Sequence, residues 1–215
     1  MAIKTTTDVS FVFKEGAGLS IPFTIAFFVR IDTDMDSDRY LMRFTNSAGS
    51  LSTNVFIDAG LVMGLTSGLA NATGSTLVVG VWNHLAMSIA GVSAGDLKVY
   101  LNGVVDINPA GVHNDFVHDV IAIGASGAGA GNVSRQSVCG AVIYNSALSQ
   151  EQIVRQSKQI APIAGGLHTY SPLLNGVDLT DYAGSGSPQW QAYTVPQTTD
   201  NPPVAFRDMK RRVFF

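Results

Sequence analysis

Leu97-Lys98-Val99-Tyr100-Leu101-Asn102-Gly103 is the stretch whose reading decides the fold class. Leu97, Val99 and Leu101 share one side of an extended chain and Lys98 and Tyr100 the other, the two-residue period of a strand with one buried face. Asn102-Gly103 then supplies two residues that accept positive φ, the strongest short signal for a hairpin turn. Upstream, Leu85, Met87 and Ile89 alternate with Ala86 and Ser88. Further back, Phe23, Ile25, Phe27, Val29 and Ile31 alternate with Thr24, Ala26, Phe28 and Arg30, and Tyr40, Met42 and Phe44 alternate with Leu41 and Arg43. More strands are expected near 7–13, 51–58, 77–81, 120–124 and 137–144, with most of the 22 glycines in the turns between runs.

One segment departs from this period. Ser149-Gln150-Glu151-Gln152 has the form of a capping box, with Ser149 as N-cap and Gln152 at the third helical position. Leu148 and Ile153 are placed to form the hydrophobic staple around it. A helix is expected over about 149–159, stopped by Pro162 and Gly165-Gly166. Many strands with one short surface helix make an all-β, antiparallel sandwich.

Composition supports that class and removes others. The 215 residues fit one β-rich domain, or one domain plus an arm. Only 13% of residues are charged and the net charge is −3, which argues against disorder, a helical bundle and a nucleic-acid-binding body. Glutamate occurs only as Glu15 and Glu151, so a glycosidase built on paired glutamates is excluded. Residues 59–95 carry no Asp, Glu, Lys or Arg, but Gly, Ser, Thr and Asn break the run, so it does not read as a membrane span. No signal peptide is expected at the N-terminus, and a lone Cys139 that can form no internal disulfide fits synthesis in a reducing cytoplasm. The sequons at Asn71 and Asn132 then read as chance matches. The charge is also uneven: residues 201–215 carry four basic groups and one acid on an otherwise acidic chain.

Several motifs together resemble one family. Gly80-Val81-Trp82-Asn83-His84-Leu85-Ala86-Met87 is similar to the "W-x-H-hydrophobic-A" strand of laminin-G-like, concanavalin A-like jelly rolls. The 97–103 hairpin follows at the family's spacing. Phe23–Val29 resembles its "F-T-h-x-F-W-h" strand, with Phe28 where Trp is usual, and Gly140–Ser149 its last strand leading into a short helix. Ile121-Ala122-Ile123-Gly124 lies between them in the family's order. Residues 167–194 resemble the flanking strands of such domains in bacterial and phage proteins, and 195–215 match nothing in the family. The resemblance implies a jelly-roll sandwich over 1–194, followed by an extended C-terminal arm over 195–215. Such domains serve as lectins, glycan hydrolases, adhesion modules and virion proteins, so function has to come from sites.

Asp32-Thr33-Asp34-Met35-Asp36-Ser37-Asp38 is the candidate calcium loop, since Asp32, Asp34, Asp36 and Asp38 could supply oxygen ligands. The EF-hand template fails at Ser37 and Arg43, and the competing reading is an acidic loop offset by Arg30, Arg39 and Arg43. Gly91-Val92-Ser93-Ala94-Gly95 has the G-x-S-x-G form, but with a strand on both sides it reads as a hairpin loop rather than a nucleophile elbow. Gly124–Gly131 reads as a loop between strands, with no helix behind it to bind phosphate. His113, His118 and Cys139 lack the spacing of a zinc site, and His84 reads as a packing or hydrogen-bonding residue. Tyr40, Tyr182, Trp190 and Tyr193 are candidate platforms for a glycan.

The basic, aromatic end makes Arg207, Lys210, Arg211, Arg212, Phe214 and Phe215 candidate anchors on a protein partner. These features, with the shortage of charge and of catalytic glutamates, lead to a non-catalytic protein acting by assembly. The expectation is a phage virion component, such as a capsid decoration or tail protein, made in the host cytoplasm and docked through its arm on other subunits or on further copies of itself. Neither membrane nor nucleic acid is expected as a partner, and no cofactor beyond calcium. The competing class is a carbohydrate-binding adhesion module, calcium-dependent if the aspartate loop takes an ion.

Overall fold

The computed structural model describes residues 3–4, 11–14, 16–33, 37–124, 136–163, 165–171 and 191–193. In chain order the strands are Ile3–Lys4 (β1), Phe11–Lys14 (β2), Phe23–Ile31 (β3), Arg39–Thr45 (β4), Ser52–Ile57 (β5), Val62–Ser67 (β6) and Ala70–Thr76 (β7). They continue with Trp82–Ile89 (β8), Leu97–Leu101 (β9), Val104–Ile107 (β10), Val120–Ile123 (β11) and Gln136–Tyr144 (β12). After the helix Gln150–Gln156 (α1) come Leu167–Ser171 (β13) and Gln191–Tyr193 (β14). The pairings are antiparallel and form two seven-stranded sheets. Sheet I runs β1-β12-β3-β8-β9-β10, with β13 also on β12, and sheet II runs β14-β2-β11-β4-β5-β6-β7. This is the all-β jelly-roll sandwich that the alternation and the motifs implied; the arm over 195–215 lies outside the described residues.

The two sheets bury one core between them. Phe23, Ile25, Phe27, Val29 and Ile31 enter it from β3, Leu85, Met87 and Ile89 from β8, and Val55, Ile57, Met63 and Leu65 from β5 and β6. Asp106 on β10 accepts from the backbone N–H and hydroxyl of Ser75 on β7, joining the facing edge strands of the two sheets. Asn102 and Gly103 turn with φ of 53° and 86°, as the hairpin signal required, and Asn102 Oδ1 accepts from the His84 N–H at 2.9 Å. A Cβ on Gly103 would also stand 3.2 Å from Cα of Val154, because α1 packs on this turn.

The other face of β3 explains the shortage of charge. Thr24, Ala26 and Phe28 are buried as deeply as the core stripe, under the chain's own helix and the segment that follows it. Ala26, Ala86, Tyr100, Val142 and Tyr144 pack there against Leu148, Ile153 and Ile163, and Phe28 and Cys139 against Ile160. The back of sheet I is largely apolar because it is a second core. Cys139 is fully buried and burial pushes its thiol well above the usual range. We expect no reaction of the native protein with Ellman's reagent at pH 8, and one thiol per chain after unfolding in urea. Prompt reaction of the folded protein would contradict this packing.

Three expectations are corrected. Residues 77–81 form a connection rather than a strand: Leu77 is buried, but Val78 and Val81 are exposed, and the Gly80 N–H is taken by Ile31 O. The strands of that region are β6 and β7, which precede it. Tyr40 does not share a face with Met42 and Phe44, because a register shift between Tyr40 and Met42 lets Leu41 and Met42 both enter the core. The helix ends at Gln156 rather than about 159: Ser157 closes it, its N–H on Ile153 O and its hydroxyl on Val154 O. The capping box at Ser149 and Gln152 forms as expected. Among the described residues no helix is long and apolar enough to cross a membrane.

Candidate functional site

The outer face of sheet II is the face that α1 does not cover, and the bulge in β4 turns Tyr40 onto it. Tyr40 is opposite Phe56 in register, and Phe56 is opposite Gly64. The Phe56 ring lies directly on Gly64, where a Cβ would stand 2.3 Å from ring atom Cζ. A half-exposed aromatic face is therefore held flat on the sheet, beside a second ring. The Arg43 guanidinium stacks over the Tyr40 ring with its carbon 5.5 Å from the centroid. Beneath them Asn54, 8% exposed, donates from Nδ2 to Ser52 Oγ at 3.1 Å and to Thr66 Oγ1 at 2.9 Å.

Asp38, Arg39, Tyr40, Phe56 and Thr66 line a groove of about 220 Å³ that is open to solvent. That is below the range of about 300–1,000 Å³ for pockets that enclose a ligand, and suits a ligand laid on the surface. The chemistry offered is apolar ring faces flanked by a carboxylate, a guanidinium and a hydroxyl. Aromatic faces take the C–H side of a flat polar molecule, and the groups at the rim take its hydroxyls.

The sequence candidates are scattered. Tyr40 is in the groove. Tyr182, Trp190 and the arm residues Arg207, Lys210, Arg211, Arg212, Phe214 and Phe215 lie outside the described residues, and Tyr193 contributes backbone pairing with Phe11. The aspartate run crosses from sheet I to sheet II, which separates its ends. Asp32 Oδ1 is paired with Arg30 Nη2 at 2.7 Å and its Oδ2 accepts from Ser137 Oγ at 2.7 Å, whereas Asp38 lines the groove. Asp34 and Asp36 lie outside the described residues. Both Asp32 oxygens are thus already engaged within the protein, and no group of three or more His, Cys, Asp or Glu among the described residues could hold a metal.

Ser93 sits in the β8–β9 hairpin loop, its N–H on Asp96 Oδ2 at 3.0 Å. His113 faces the carbonyls of Gly91 and Asn114, while His118 is enclosed by Phe23, Phe44 and Phe116, with Nδ1 on Leu19 O at 3.3 Å. Burial lowers His118 to about 4. Phe56, Asn54, Gly64 and Thr66 were not singled out in the sequence. The available signal was an aromatic at the solvent-facing phase of 52–57 and a glycine inside the next apolar run.

The chain belongs to the concanavalin A-like lectin/glucanases superfamily, whose laminin-G-type family model matches residues 6–154. No curated protein matches it in sequence. Among solved structures it is similar to a "putative carbohydrate binding protein" from Bacteroides ovatus, with 16% identity, TM-score 0.66, and coverage of 95% of this chain and 61% of that one. A sialidase from Trypanosoma rangeli aligns with 63% of this chain at 19% identity and TM-score 0.53, and the alignment takes in 22% of the sialidase. The heptameric SAP-like pentraxin of Limulus polyphemus aligns at 14% identity and TM-score 0.51, over 73% of this chain and 81% of that one. The chain thus spans well under two thirds of the sialidase and somewhat under two thirds of the Bacteroides protein. These likenesses show the fold.

Proposed function

We propose that the chain is a non-catalytic carbohydrate-binding module that takes sugar rings on the outer face of sheet II. The observation that carries this reading is the pairing of Tyr40 with Phe56, with Phe56 seated on Gly64. Two adjacent rings beside Asp38, Arg39 and Thr66 give the mixture of apolar face and polar rim that a sugar needs. The Bacteroides neighbour supports it as a protein described for carbohydrate binding. Among the described residues Asp38 is the one carboxylate lining the groove, and Glu151 lies at the start of α1, which supports binding without hydrolysis. Of the grounds for the assembly reading, the anchor residues 207–215 lie outside the described residues, and the shortage of charge is met in sheet I by the chain's own cover.

A glycan array run with and without chelator tests this. Selective binding is expected, falling at least about 10-fold in Tyr40→Ala and in Phe56→Ala, the worth of one lost stacking contact of about 1.4 kcal/mol. Binding that persists unchanged in both variants would remove the groove from the mechanism. Binding lost with chelator would bring the aspartate loop into the site.

A further inference from the structure

His84 is the least expected residue on the covered face of sheet I. It is 2% exposed, stands edge-on to Phe28 with ring centroids 5.1 Å apart, and neither ring nitrogen has a hydrogen-bond partner. Cys139 and Ile160 complete the cluster around Phe28, with Trp82 at its edge. Ile160 belongs to the segment after α1 and rests where β12 is bulged. Gly140 there has φ of 66°, and a Cβ on it would stand 2.8 Å from Ile160.

Among the described residues, the ionisable groups around this cluster offer an imidazolium nothing to pair with. From β3 comes Arg30, bound to Asp32 and stacked on the Trp82 ring at 5.4 Å. β12 contributes the Cys139 thiol, raised by burial, and β9 contributes Lys98 and, further along the face, the Tyr100 phenol, also raised by burial. The covering segment contributes Lys158 and, from α1, Arg155, both exposed. Asp32 is the one carboxylate among these groups, and Arg30 and Ser137 already hold it. A charge on His84 in the closed structure would be buried and unpaired, which is strongly unfavourable.

We propose that segment 157–163 is an acid-released latch over sheet I, with His84 as its trigger. The latch is held closed by neutral contacts, Ile160 in its notch and the Ile163 N–H on Tyr144 Oη at 2.9 Å, so its strength apart from His84 does not vary with pH. Lifting it takes Ile160 off Phe28 and Cys139 and so opens to solvent the cluster whose Phe28 ring packs on the imidazole.

The sign follows from linkage. In the closed state burial lowers His84 from 6.5 to about 4, and in the open state it titrates near 6.5. The latch is therefore fully stable above about pH 6.5 and loses stability as pH falls toward 4, where the effect saturates. At pH 5 opening is favoured about 30-fold over neutral pH. His118 titrates in the same window, but it sits between the sheets, so its protonation weakens the sandwich as a whole.

Cys139 reports the opening. Its labelling by 4,4′-dithiodipyridine would be measured at pH 5.0 and 7.5, each rate divided by that of the urea-unfolded chain at the same pH. The normalised rate should rise about 30-fold in the wild type and less than about 3-fold in His84→Leu, which fills the apolar site without titrating. Hydrogen exchange of the wild type provides an arm that needs no variant: at pH 5.0 protection should fall at 157–163 and hold in β9. Equal acid activation of both proteins, or equal loss of protection in β9, would overturn the latch.

Discussion

Gln156→Leu is expected to destabilise the protein by about 3 kcal/mol, although the residue lies on a surface helix. Gln156 is 1% exposed, and its amide serves four partners. Oε1 accepts from Tyr144 Oη at 2.7 Å and from the Ile163 N–H at 3.1 Å, while Nε2 donates to Gln159 O at 3.0 Å and Ala161 O at 3.2 Å. Leucine fills a similar volume but meets none of these groups. The Ile163 N–H keeps Tyr144 Oη and Ala161 O keeps the Gln159 amide, so the Tyr144 hydroxyl proton and Gln159 O are left unmet. Each buried group so stranded costs about 1–3 kcal/mol. Urea denaturation measures the loss, with exposed Arg155→Ala as a control expected within about 0.5 kcal/mol of wild type. A Gln156→Leu variant as stable as that control would mean the helix is not fastened to sheet I through this amide.

Gly64→Val should abolish sugar binding on sheet II and cost about 1–3 kcal/mol. The two results have one cause. A Cβ on residue 64 would stand 2.3, 2.6 and 2.8 Å from three atoms of the Phe56 ring, so the ring must leave its seat. Tyr40 then loses its neighbour and the groove its floor. A second substitution isolates the cause: in a Phe56→Ala background the valine meets no ring, and its preference for extended backbone makes Gly64→Val neutral or stabilising. An undiminished penalty in that background would show that Phe56 does not rest on Gly64. Retained binding in Gly64→Val with normal stability would count against the aromatic pair as the platform.

The parts of the fold legible in the sequence are those set by local chemistry. The β3 stripe, the Asn102-Gly103 turn and the Ser149–Gln152 capping box each depend on neighbours within a few residues, and each is present. β6 and β7 escaped because Gly64, Gly68 and the Ala-Asn-Ala-Thr run blur the alternation, while Val78, Val79 and Val81 look like a strand without facing the core. The phase of Tyr40 was misread for a comparable reason, since one extra residue in β4 turns everything before it to the other face. Only half of the site was visible. Tyr40 stands out as an aromatic, but Phe56 gains its role from a glycine on the next strand, and that relation exists only once the register is set. Low charge, read in the sequence as surface meant for partners, reflects in sheet I a face already buried by the chain itself.

The position of β3 has a consequence for how the molecule is made. Its neighbours in sheet I are β8, at 82–89, and β12, at 136–144, so this central strand is synthesised long before either of its partners. A ribosome delivering this chain leaves Phe23–Ile31, with its core stripe of Phe23, Ile25, Phe27, Val29 and Ile31, short of its second neighbour until about two thirds of the sequence has emerged. Assembly waits for late residues, which places the protein among slow-folding, non-local topologies. While it waits, an unpaired apolar strand is a site for capture by chaperones or by other nascent chains. Yield during expression should therefore respond to temperature and chaperone supply more than the stability of the finished sandwich would suggest.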